Sequence, residues 1–66
     1  MNKEEIKAIK RISLRSDIRN AEEQEELAKE HAEYYKNTPE LMNFYNIKKS
    51  IFRKMKSKAQ KELKAL

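Results

Sequence analysis

Sixty-six residues without a cysteine, 41% of them charged, exclude a disulfide framework, a thiolate metal site and a large hydrophobic core. A chain this short buries only about 60% of its unfolded surface. Regular helix packing, self-association or folding on a partner must supply the remaining stability. The formal net charge of +5 favours phosphates or acidic surfaces as partners.

Ile, Leu and Phe together number thirteen, and Val and Gly are absent. Lys, Glu, Ala, Leu, Arg, Met and Gln dominate, which are the strong helix formers. The expected fold is therefore all-α, a single domain over residues 1–66 built as a small three-helix bundle. Its helices are predicted at about 3–15, 21–36 and 39–64, with continuity between the first two as the alternative. The N-terminus carries Glu4 and Glu5 where a signal peptide would be basic, and no apolar run approaches the roughly 18 residues of a membrane span. A cytoplasmic location is expected.

In chain order, Asn2 followed by Glu5 has the form of a capping box. Ile6, Ile9 and Ile12 then share one side of a first helix. An unbroken helix would turn Ile18 away from that stripe, so the polar pair Ser16-Asp17 is expected to mark a turn, and Asn20 with Glu23 offers a second capping box. Ala21, Leu27, Ala28, His31, Ala32 and Tyr35 follow at helical spacing. Asn37-Thr38-Pro39-Glu40 is the clearest boundary: Thr38 can cap, Pro39 suits the first helical position, and Glu40 favours the positive end of the helix dipole. The third helix has an apolar stripe of Leu41, Phe44, Tyr45, Ile51, Phe52, Met55, Ala59 and Leu63, expected to be buried. All five aromatics lie between positions 34 and 52 and are expected to gather near the turn.

Charge divides the chain into blocks: +3 over residues 1–20, −5 over 21–40 and +7 over 41–66. One reading sets an acidic middle helix between two basic ones. The third helix nevertheless keeps a surplus of positive charge. If its apolar stripe faces inward, Asn46, Lys49, Ser50, Arg53, Lys54, Lys61 and Lys64 face out. Lys and Arg neutralise phosphates, and Asn, Ser and Arg can hydrogen-bond base edges. A basic helix after two others resembles the plan of tri-helical DNA readers, which place a third helix in the major groove. No family signature accompanies the likeness.

Catalysis is not expected, because His31 is the only histidine and there is neither Cys nor a glycine-rich phosphate loop. Nor is a cofactor or metal: Glu26, Glu30, His31 and Glu33 crowd one helix, but Ala28 stands where an E-x-x-H pair needs Glu. The functional expectation is a non-catalytic regulator of nucleic-acid transactions, with DNA ahead of RNA and no small-molecule substrate. The alternative is an inhibitor of a larger host protein, of phage or mobile-element type, acting through Glu22, Glu23, Glu26 and Glu30. A homodimer fits either reading. Leu14, Ile18, Ala21, Glu25, Ala28, Ala32 and Tyr35 step by four and three if the first two helices are continuous. That is coiled-coil spacing, weakened by Glu25 and three alanines, and it offers a seam for self-association.

Overall fold

A computed structural model describes all 66 residues as two antiparallel helices, α1 (Lys3–Tyr34) and α2 (Pro39–Ala65), joined by a tight turn. The hairpin measures 54 × 14 × 13 Å. The expected three-helix bundle is thereby corrected: the helices expected over 3–15 and 21–36 are one helix that ends at Tyr34, and no third layer exists.

Local chemistry sets the ends. The Asn2 side-chain oxygen accepts the Glu5 backbone N–H at 2.8 Å, capping α1. At the other end the Tyr35 N–H donates to the His31 carbonyl and the Thr38 N–H to the Tyr35 carbonyl. Pro39 then starts α2 at a position where its missing N–H has no helical partner to lose. Thr38 is the N-cap residue, but its side chain makes no capping hydrogen bond.

Ser16, Asp17 and Asn20 do not interrupt α1. Polar residues in a helix interior cost only about 0.5 kcal/mol each relative to Ala, whereas Gly or Pro would cost about 1 or 3. Continuity also aligns one long seam. The least exposed residues of α1 are Arg11, Leu14, Ile18, Ala21, Glu25, Ala28, Ala32 and Tyr35, spaced alternately by three and four. Those of α2 are Met42, Tyr45, Lys49, Phe52, Lys56, Ala59, Leu63 and Leu66, with the same alternation, and Lys48 at the edge of the seam. The stripe expected to join two molecules is thus used within one, against α2.

Direct contacts fix the register. Lys56 Nζ lies 3.7 Å from Glu25, and the Tyr35 and Tyr45 rings stack with centroids 5.6 Å apart. Arg53 reaches the same Glu25 carboxylate, and His31 packs on Tyr45, so all four contacts hold the hairpin in one antiparallel register. Only Ala21, Ala28, Ala32 and Ala59 are buried. Small side chains let helix backbones approach closely, so the alanines that weakened the stripe as a sequence signal form the centre of the packing.

The stripe expected to be buried on the third helix is also corrected. Tyr45, Phe52, Ala59 and Leu63 face α1, but Leu41, Phe44, Ile51 and Met55 are exposed. Ile6, Ile9 and Ile12 are exposed as well. The reason is width: a single neighbouring helix covers a narrow seam of each partner, whereas a bundle core needs a broader apolar face.

Candidate functional site

The antiparallel register redistributes the charge blocks. Residues 21–56 hold seven acids and seven bases, so the loop half is neutral. The whole formal +5 sits at the open end, in residues 1–20 and 57–66. Arg11, Arg15 and Arg19 recur every four residues along α1, which keeps them on one side of the helix. Leu14, Asp17 and Asn20 line one groove with Lys58, Ala59 and Glu62, so the α1 turns of Arg15 and Arg19 lie beside the α2 turns that carry Lys61 and Lys64. Arg15, Arg19, Lys61 and Lys64 are all exposed.

The residues expected to contact phosphate are divided by this arrangement. Lys61 and Lys64 belong to the open end. Asn46, Ser50 and Lys54 are exposed on α2 alongside the acidic stretch of α1. Lys49 occupies a seam position and is half-buried. Arg53 is engaged: its Nε donates to Glu25 Oε1 at 3.0 Å. The likeness to tri-helical DNA readers falls away with the third helix. The arginines of α1 are an addition from the structure, although their four-residue spacing was visible in the chain.

Glu25 is the most constrained ionisable group. Its side chain is 19% exposed and lies between Arg53 and Lys56. The Arg53 hydrogen bond holds its carboxyl below the ordinary value; partial desolvation opposes this, and the Lys56 charge adds to it. A polar residue at such a seam position specifies register, because slipping by one turn leaves the carboxylate without its partners.

Glu22, Glu23, Glu26 and Glu30 are exposed on α1, and none takes part in an ion pair; Glu25 and Glu33 supply the acids that do. His31 packs against Tyr45, ring centroids 4.8 Å apart, and the Tyr34, Tyr35 and Phe44 rings complete the aromatic cluster at the loop end.

A groove of about 500 Å³ runs along one broad face near the middle of the hairpin. Asp17, Asn20 and Gln24 border it from α1, and Met55, Lys58 and Glu62 from α2, with Ala21 and Ala59 in its floor. Neither helix is long and apolar enough to cross a membrane. No family model, curated protein or solved structure matches the chain.

Proposed function

We propose that this protein is a non-catalytic, cytoplasmic regulator that binds nucleic-acid phosphates through its open end. One observation carries the reading: the hairpin leaves a neutral loop half and gathers the entire +5 at the other end. Arg15, Arg19, Lys61 and Lys64 supply exposed donors from both helices there, with half-buried Arg11 beside them. Phosphate contacts of this kind release counterions and give affinity without sequence preference. Asn46, Ser50 and Lys54 extend the polar surface along α2 and add contacts to a duplex lying across the hairpin.

Fluorescence anisotropy with a labelled DNA duplex tests this. Binding is expected at low salt, with a log–log salt dependence of magnitude about 4–6 for five or six neutralised phosphates. The Arg15→Glu/Arg19→Glu variant is expected to bind at least about tenfold more weakly with its helical circular dichroism intact. Lys54→Glu, in the neutral half, is expected to cost less. Absence of binding at low salt overturns the reading.

A second reading rests on the acidic surface. Glu22, Glu23, Glu26 and Glu30 are exposed and free of ion pairs, so they are available to a basic groove on a host protein. An inhibitor acting this way loses its target when those four are replaced by Lys and keeps it when Arg15 and Arg19 are reversed. A nucleic-acid binder shows the opposite pattern.

A further inference from the structure

We propose that the groove-bearing face of the hairpin is the interface with a second copy of this chain, forming a four-helix bundle with the two loops at the same end. The groove fixes which residues share this face. Continuing from Asp17, Asn20 and Gln24 by alternating steps of three and four reaches Leu27, His31 and Tyr34. Continuing back from Met55 in the same way reaches Ile51, Lys48, Phe44 and Leu41. Leu27, Tyr34, Leu41, Phe44, Ile51 and Met55 are all exposed, and Lys48 is the one full charge among these loop-half positions.

Surface area and the match of the face to itself point to the occupant. A compact folded chain of this mass exposes about 4,400 Å², whereas the hairpin exposes 5490 Å². The excess, about 1,100 Å², is more than the roughly 800 Å² that each partner contributes to a standard interface. A second copy offers an identical face of equal length, on which Asp17 and Glu62 offset Lys48 and Lys58. A two-fold axis along the hairpin lays α1 of one copy on α2 of the other, so that Leu27 and Tyr34 meet the loop-half stretch of the second copy's α2 that carries Phe44 and Ile51. The reverse orientation would set the same apolar residues against Lys10, Ser13 and Ile6, and bury less apolar surface. Hydrophobic burial decides between them, because repulsion between two solvated basic ends is screened within about 8 Å at physiological salt.

Sedimentation equilibrium on the full chain tests the association. A mass about twice 7.9 kDa is expected at micromolar concentration. Phe44→Glu and Ile51→Glu point away from the intramolecular seam, so each is expected to keep helicity while weakening the dimer about a hundredfold. Ile12→Glu, off this face, is expected to leave the mass unchanged. The chain has no cysteine, so Asn37→Cys takes a single spin label at the loop. Loops at the same end put two labels within about 20 Å, given helix spacings of about 8–10 Å; opposed loops separate them by nearly the 54 Å length. A monomer at tens of micromolar overturns the proposal, as does a dimer indifferent to Phe44→Glu and Ile51→Glu, or a long label separation. A monomer that floats with anionic vesicles assigns the face to a lipid surface instead. No nucleic acid enters these measurements, so they stand or fall apart from the phosphate reading.

Discussion

Two residues on the α1 seam carry unusual weight for their size. Ala28 is 2% exposed at the centre of the α1 seam, so Ala28→Leu forces extra methylenes into a contact that has no room. A loss of about 1–3 kcal/mol is expected, read as a lower midpoint in urea; an unchanged midpoint would show that the helices are not closely packed there. Glu25 makes stability depend on pH. Its folded pKa lies below the ordinary 4.5, so the carboxylate's contribution is present above that value and is lost as pH falls through the folded pKa. Acid unfolding is therefore expected to steepen below about pH 4.5 in the native chain. The Glu25→Gln variant is expected to be less stable at neutral pH and to show a flatter acid limb in the same titration.

At the scale of the element, the decisive feature is the uninterrupted α1. The sequence contains both its signals: a polar pair at Ser16-Asp17 that suggests a turn, and a three-four spacing from Leu14 to Tyr35 that requires continuity. Spacing prevails because a missing hydrogen-bonded turn costs more than two polar residues of modest propensity. Ser16→Pro discriminates cleanly. In a continuous helix it removes a backbone hydrogen bond and clashes with the preceding turn, at a cost of about 3 kcal/mol or more. Circular dichroism is expected to show loss of most helix, because severing α1 halves the seam. A chain with a turn at that point would tolerate the substitution. The boundary at Thr38-Pro39, by contrast, was legible from sequence, because proline's fixed φ acts locally.

For the whole molecule, packing is concentrated around the alanines. Side chains from Met1 to Lys10 are all exposed, whereas Ala21, Ala28 and Ala32 are buried. Hydrogen exchange is expected to be fastest in the first two turns of α1 and slowest between Ala21 and Ala32, since opening free energy follows local burial. Uniform protection along α1 would contradict this gradient. The charge distribution belongs to the same scale. An acidic stretch and a basic stretch far apart in the chain lie side by side and cancel, leaving the open end to carry the net charge.

The sequence by itself determined that the protein is helical, where its main turn falls, and how α1 is capped at Asn2. Each of these rests on propensity or on hydrogen bonds between residues a few positions apart. Tertiary structure decided which apolar residues are covered, because helical spacing places two stripes on α2 and only an actual neighbour selects between them. It selected Met42, Tyr45, Phe52 and Leu63, and left Phe44, Ile51 and Met55 in solvent. It also decided which charges are free, since Arg53 and Lys56 find Glu25 only when the chain folds back upon itself.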